Sequence, residues 1–477
     1  MADLVYQSAQ ELIDHLGAGR ISARELLDAH VQRHVAVHAD INAVVAVDLD
    51  RARDEAQAVD DARARGEELG PLAGLPMTIK DGFDVDGLPA VSGHPAFADR
   101  PPNCADADVV AAARAAGAIV WGKTNVPLML GDFQSYNAVY GTTNNPYDLA
   151  RTPGGSSGGA AAALAAGVTP LEIGSDIGGS LRHPANFCGV HALKPTWNAL
   201  PMRGHVPPPP GAYVEQDLGV AGPMARTARD LRLLYGTLRR DEPSGPRGVA
   251  GTRIALWLDE PNFALSSEAR SAVEQAADAL RRQGAIVEPA PLPVQTEPLL
   301  DTYFALMMPI LSAGFPDKVY AGLEKSRTAA IAALAGGADR YSQEAFVMHA
   351  TASYRTVAAA TVARQAMKDA LAGWFTDWDA ILAPISPVPA FTHRHDGSLY
   401  QRLLEVAGRS VPYPHLFDWI SLATTLHVPA LAAPVTRTLT GLPIGAQLIG
   451  RWHEEDRLLD LADALEAETG GFAPPRL

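Results

Sequence analysis

Apolar positions in the first part of the chain recur at helical spacing. Leu12, Leu16, Leu26, Leu27 and Val31 follow that period and predict helices over residues 1–65. Ser22 followed three residues later by Glu25 is a capping-box signature and marks a second helix start. Residues 51–69 are charged and alanine-rich, the composition of a solvated helix and its exit. The pattern then shortens. Residues 77–80 (MTIK) lie between Gly/Pro punctuation and predict a short strand. An alanine-rich helix over 106–116 leads into a strand within GAIVWGKTN. A Gly/Ser loop from Arg151 runs into a second alanine-rich helix ending at Ala166. Residues 169–175 predict another buried strand, which opens onto the loop DIGGS. Strand, glycine loop and helix alternate, which predicts an α/β protein.

Further along, 266–283 reads as an amphipathic helix with Ala269, Val273, Ala276, Ala277 and Leu280 on one face. GAIVE follows as a strand. Residues 297–375 carry almost only helical signals and predict an insertion covering the sheet. Residues 380–382 and 430–435 predict late buried strands. The four prolines 207–210 predict a stiff surface loop. The expected organisation is a single domain over 1–477. It comprises an N-terminal helical segment (1–65), a core (66–240), the insertion (297–375) and a C-terminal part that completes the sheet (376–477).

Composition narrows the function classes. A chain of 477 residues buries most of its unfolded surface without disulfide staples. The net charge of -15 argues against nucleic-acid partners and anionic membrane surfaces. The two cysteines, Cys104 and Cys188, form no CxxC pair and are expected to be structural, buried thiols. The N-terminus lacks a signal-peptide pattern. The run Phe304–Phe315 is the most apolar, yet it is short of the ~20 residues a span needs and contains Pro309. These readings predict a cytoplasmic enzyme with no membrane partner.

Three patterns compete for the chemistry. Gly117–Thr124 matches GxxxxGK[ST], but Ala118, Ile119, Val120 and Trp121 have strand character where a phosphate loop is needed. Pro127 also opposes the helix that must follow. Gly154–Gly158 matches GxSxG, but the polar NNPYDLARTP before it supplies no strand to deliver a nucleophile. The third is a constellation of Lys80, the Ser156/Ser157 loop and Ser180 at the end of GSDIGGS. Glycines beside a serine let backbone N–H groups converge on one point. A lysine in apolar surroundings can lose its proton, although its ordinary pKa of ~10.4 must fall by several units. His393 and His395 form the one close histidine pair, with no HExxH to support a metal site.

The segments GGSSGGAAAALAAG and GSDIGGSLRHPANFCGVHALKPT, with GPLAGLPMTIKDGFDVDG, WGKTNVP, YGTTNNPYD, GVAGPMARTARDL, DAILAPISPVPAF and GLPIGAQLIGR, closely resemble the amidase signature family. The resemblance covers nearly the whole chain. It implies that family's fold, a large mixed central sheet flanked by helices. It also implies roles. Ser180 is the nucleophile, Ser156 the bridging serine after a cis peptide from Gly155, and Lys80 the base. Backbone N–H groups of Ile177, Gly178, Gly179 and Ser180 form the oxyanion hole. Asp176, Arg182 and Ser157 support the loops, and Cys188 packs beneath them. No cofactor and no metal are implied.

The resemblance also frames the substrate, a small molecule. Leu130, Gly131 and Asp132 border the acyl pocket, with the Leu130 carbonyl accepting from substrate and Gly131 widening the space. Tyr303, Phe304, Met307 and Met308 sit at helical spacing and read as core or as an apolar entrance. The family spans general amidases, aryl acylamidases, urethanases, peptide amidases, fatty acid amide hydrolases and a tRNA-dependent amidotransferase component. The expected activity is hydrolysis of a small aryl or alkyl amide. The alternatives are a carbamate, whose carbonyl differs by one neighbouring oxygen, and an amidotransferase-type subunit that needs a partner. A homodimer stays open.

Overall fold

The computed structural model describes residues 4–206 and 215–477. The prolines 207–210 lie outside the described residues. The strands are β1 (Val44–Val47), β2 (Pro76–Lys80), β3 (Ile119–Thr124), β4 (Tyr136–Asn137), β5 (Gly141–Thr142), β6 (Leu171–Asp176), β7 (His191–Lys194) and β8 (Val220–Ala225). They continue with β9 (Arg253–Leu256), β10 (Ile286–Pro289), β11 (Ala380–Ala383), β12 (Leu403–Val406), β13 (Arg409–Pro412), β14 (Ala430–Arg437) and β15 (Pro443–Gly450). Eleven of them form one mixed sheet in the order β1-β3-β2-β6-β8-β7-β14-β15-β11-β9-β10. β4 pairs with β5, and β12 with β13, as separate small ribbons.

The sheet is covered on both faces, so its central strands are buried along their whole length and read as near-continuous apolar runs. Successive residues of a strand point to opposite faces. Leu448 therefore joins one large apolar core and Ile449 the other. The helices Ala23–Ile41, Ala228–Leu238 and Glu455–Thr469 contribute to the first core. The helices Gly158–Ala165, Thr296–Ser312 and Ser421–Thr425 contribute to the second.

A side-chain N-cap starts half of the α-helices among the described residues. Ser8 with Glu11, and Ser22 with Glu25, each close a complete capping box. The region 297–375 is built of the helices Thr296–Ser312, Asp317–Ala335, Gln343–Ala350 and Tyr354–Trp374. Tyr303, Phe304, Met307 and Met308 are buried in the second core, and Phe304 and Met308 also line a small cavity beside Tyr341 and Phe346.

Several expectations are corrected. The first 65 residues are not all helical, because β1 pairs antiparallel with β3 at the sheet edge. The strand expected within GAIVWGKTN does form as β3, which Gly122, Lys123 and Thr124 end in place of a phosphate-type loop. Cys104 is exposed, whereas Cys188 is buried. No helix among the described residues is long and apolar enough to cross a membrane.

Candidate active site

Strands β2 and β6 run parallel, with Thr78 opposite Glu172 and Ile79 opposite Ile173. Their C-terminal ends therefore emerge together, and this places Lys80 beside Ser175. Lys80 Nζ lies 2.7 Å from Ser156 Oγ, 2.9 Å from Ser175 Oγ and 3.3 Å from the Ser175 carbonyl oxygen. The ammonium is fully buried, and no ion pair among the described residues includes it. Burial disfavours its charged form and lowers its pKa to about 7, although Asp176 and Glu172 pull the other way. Burial also lifts the Glu172 carboxyl to about 8, with Thr78 Oγ1 donating to it at 2.7 Å.

The loop bearing Ser156 leads into the helix Gly158–Ala165. The Gly155–Ser156 peptide is cis. Gly155 faces backbone at close range: a Cβ there would sit 2.5 Å from the Asp132 carbonyl oxygen and 2.6 Å from the Gln134 nitrogen. Only glycine fits. Ser135 Oγ donates to the Gly154 carbonyl (3.0 Å) and accepts from the Gly158 N–H (3.1 Å), holding the loop from outside. Hydrogen bonds of Ser157 tie this loop to the other serine loop, one of them accepted by its Oγ from the Ser175 N–H at 3.5 Å. The Ser157 N–H donates to the Ser180 carbonyl at 3.1 Å, and Ser157 Oγ donates to the Ser175 carbonyl at 3.3 Å.

Ser180 follows β6 on the turn before the helix Arg182–Cys188. Asp176 organises this turn. Its carboxylate accepts from the N–H groups of Gly179 (2.9 Å) and Leu181 (3.1 Å) and from both Nε (3.1 Å) and Nη2 (3.0 Å) of Arg182. Burial alone would raise its pKa, but the Arg182 guanidinium and these donors hold it far below the usual carboxylate range. Arg182 is buried as well and also donates to the Ile420 carbonyl, Gln447 and Thr424. Gly179 adopts φ +88, and a Cβ there would meet the His183 ring at 2.5 Å.

The expected donor set changes in one respect. The Gly179 N–H is committed to Asp176 and so is not free for a ligand. The N–H groups of Ile177, Gly178 and Ser180 have no partner among the described residues. The Ile177 carbonyl accepts from the Tyr303 hydroxyl at 2.9 Å, a contact from the helical region that the sequence did not single out.

The segment after β3 differs from expectation at Asp132. Its carboxylate is fully engaged, accepting from Tyr413 Oη (2.8 Å), Arg402 Nη1 (2.6 Å) and Tyr136 Oη (3.0 Å). Asp132 is half-buried, its side chain 9% exposed, and it anchors the region around β12 and β13. The Leu130 carbonyl accepts no hydrogen bond among the described residues. The space beside Gly131 is bounded by the Leu128 carbonyl, 3.4 Å from where a Cβ would stand. The His393 and His395 rings lie 5.2 Å apart, and His395 stacks on Tyr136. Among the described residues no group of three or more His, Cys, Asp or Glu is arranged to hold a metal ion.

Sequence reasoning overlooked Ser175 and His205, and it read Tyr303 only as core or entrance. Ser175 stands inside the glycine-loop motif, but only the strand pairing shows that it touches Lys80. The contacts of His205 and Tyr303 carry no local signal, because their partners are distant in sequence.

The chain is similar to known proteins over nearly its whole length. The Amidase family model matches residues 25–459. A glutamyl-tRNA(Gln) amidotransferase component (the protein of its A type) from Salinispora arenicola (strain CNS-205) is 32% identical over 524 residues, spanning 100% of both chains. AtzE of Pseudomonas sp. (strain ADP), a component of 1-carboxybiuret hydrolase, is 31% identical, spanning 93% of this chain and 95% of its own. A solved chain described in connection with a vestigial protein complex and the origins of an s-triazine catabolic enzyme superposes with a TM-score of 0.81. It is 31% identical over 99% of this chain and 100% of that one.

Proposed function

The chain belongs to the amidase family, and on that premise we propose that it cleaves its C–N bond through an acyl-enzyme on Ser180, with Ser156 and Lys80 moving the proton. It is an enzyme of the amidohydrolase class. The observation that carries the mechanistic reading is the 2.7 Å contact between Lys80 Nζ and Ser156 Oγ in a fully buried setting. A neutral amine there takes the Ser156 proton while Ser156 takes that of Ser180. Ser180 Oγ then attacks the carbonyl carbon, and the carbonyl oxygen becomes an oxyanion. The N–H groups of Ile177, Gly178 and Ser180 are the donors that receive it. Removing one such donor typically costs about 3 kcal/mol of transition-state stabilisation. Ser156 returns the proton to the leaving nitrogen as the C–N bond breaks, and Lys80 is regenerated as the base. Water follows the same route in reverse and releases the acid from Ser180.

The substrate is a small aryl or alkyl amide. Leu130 supports this, since its carbonyl is available to accept from a substrate N–H. A carbamate is the alternative, because the same donors and nucleophile serve a carbonyl with one more neighbouring oxygen. A second reading, a chain working with a partner, is favoured by two relatives that are each named as one component of a larger amidotransferase or hydrolase.

The test is release of 4-nitroaniline from a matched anilide and N-aryl carbamate by wild type and Ser180→Ala. Serine-dependent release from either supports the reading, and the ratio of rates separates amidase from urethanase. Equal release by both proteins overturns it. Silence from wild type with both substrates points to the partner-dependent reading.

A further inference from the structure

The buried amine of Lys80 touches three oxygens, and their donor and acceptor roles decide whether it can act as a base. A neutral lysine amine has two N–H bonds and one lone pair. The Ser175 carbonyl, 3.3 Å away, can only accept and takes one N–H. The Ser175 hydroxyl, 2.9 Å away, can do either. If it accepts the second N–H, the lone pair is left for the Ser156 hydroxyl at 2.7 Å, the productive arrangement. If it donates, it occupies the lone pair and Ser156 meets an N–H instead.

His205 is placed to settle that choice. Its Nε2 lies 2.8 Å from Ser175 Oγ. An unprotonated Nε2 accepts the Ser175 hydroxyl proton, and the Ser175 oxygen is then left to accept from Lys80. The imidazole is held for this task. Phe83 and His205 form an isolated antiparallel bridge, and the Val206 N–H donates to the Gly82 carbonyl at 2.7 Å. The Phe83 ring meets the imidazole edge-on, with centroids 4.9 Å apart. Gly82 runs alongside, so that a Cβ there would stand 3.5 Å from Nε2.

We propose that His205 is a positioning residue that acts through Ser175, accepting its hydroxyl proton so that the Lys80 lone pair faces Ser156. The proposal rests on the reading of Lys80 as the base. No proton passes to His205 or Ser175, which only orient the relay Ser180–Ser156–Lys80.

The test compares His205→Phe, which keeps the ring and loses the acceptor, with His205→Gln, whose Oε1 reaches the Nε2 position. Two readouts are taken: kcat and KM on a substrate that wild type turns over, and the labelling rate of Ser180 by a fluorophosphonate. His205→Phe is expected to lose about tenfold in kcat and in labelling rate, a fraction of the 10²–10⁴ that a positioned base supplies, with KM little changed. His205→Gln is expected to recover most of that loss. In a Ser175→Ala background His205→Phe should cost nothing more, because the coupling runs through that hydroxyl. Wild-type kcat in His205→Phe, equal loss in both variants, or additive loss with Ser175→Ala overturns the proposal. If His205→Phe does not fold, His205→Leu carries the same expectation. Failure of the underlying reading has a different signature, because Ser180→Ala and Lys80→Met would then keep their activity and Ser180 would not label.

Discussion

The Tyr303 hydroxyl donates to the Ile177 carbonyl across 2.9 Å. The two residues lie on elements far apart in sequence, the helix Thr296–Ser312 and the turn after β6. A peptide unit is planar, so holding the Ile177 carbonyl also fixes the direction of the Gly178 N–H on the same unit. That N–H has no partner among the described residues. The helical region therefore steadies one of the proposed oxyanion donors.

Tyr303→Phe should lower kcat by roughly tenfold, about 1.4 kcal/mol, which is less than the loss of a donor outright. KM should change little, because the donor engages fully only in the transition state. Steady-state kinetics of the variant checks this, and a KM effect without a kcat effect would count against it.

Activity should rise as pH passes through about 7, where burial places the Lys80 amine, because the neutral form is the base. Stability follows the same group. The unfolded lysine keeps its proton up to its ordinary value of 10.5, whereas the folded one releases it near 7. Between these values the unfolded chain binds more protons, so the contribution of Lys80 to stability increases with pH. Below about 7 both states are charged and the burial penalty is complete. Lys80→Met should be inactive, melt higher than wild type at pH 6, and show a smaller gain in stability from pH 7 to 10. Thermal melts across that range test the sign.

Asp176→Asn should destabilise the fold strongly. The Asp176–Arg182 pair is fully buried, and neutralising one partner leaves the other charge without compensation. Breaking such a pair typically costs about 3–5 kcal/mol. Urea denaturation measures the loss, and a variant as stable as wild type would refute the bracing role.

Asp132→Asn should act on stability and spare selectivity. Its carboxylate anchors Arg402, Tyr413 and Tyr136, and the Arg402 pair is nearly dry. A loss of about 1–3 kcal/mol is expected, the usual cost of a disrupted buried hydrogen-bond set. The ratio of anilide to carbamate turnover should stay the same. A changed ratio would return Asp132 to the substrate pocket.

Much of this protein was legible along the chain. Strand β2 showed in the run MTIK, and the helix 267–282 showed in its apolar face, because each pattern is local and periodic. Strands β7, β8 and β15 were not read, since segments buried on both faces carry no alternation. The first strand hid inside a helical region because its pairing partner, β3, lies beyond Lys80.

The candidate site divides the same way. The sequence by itself determined the residue types available: two serine loops rich in glycine, a lysine in apolar surroundings and a family resemblance that joins them. Tertiary structure alone decided how they are used. Parallel pairing of β2 with β6 put Ser175 on Lys80, and the turn after β6 spent the Gly179 N–H on Asp176. It also made Asp132 an anchor for Arg402 and brought Tyr303 and His205 to the two loops. Apart from the Gly179–Asp176 bond, which closes within one turn, each of these is a hydrogen bond between residues far apart in sequence. Its direction depends on a few tenths of an ångström that no pattern along the chain encodes.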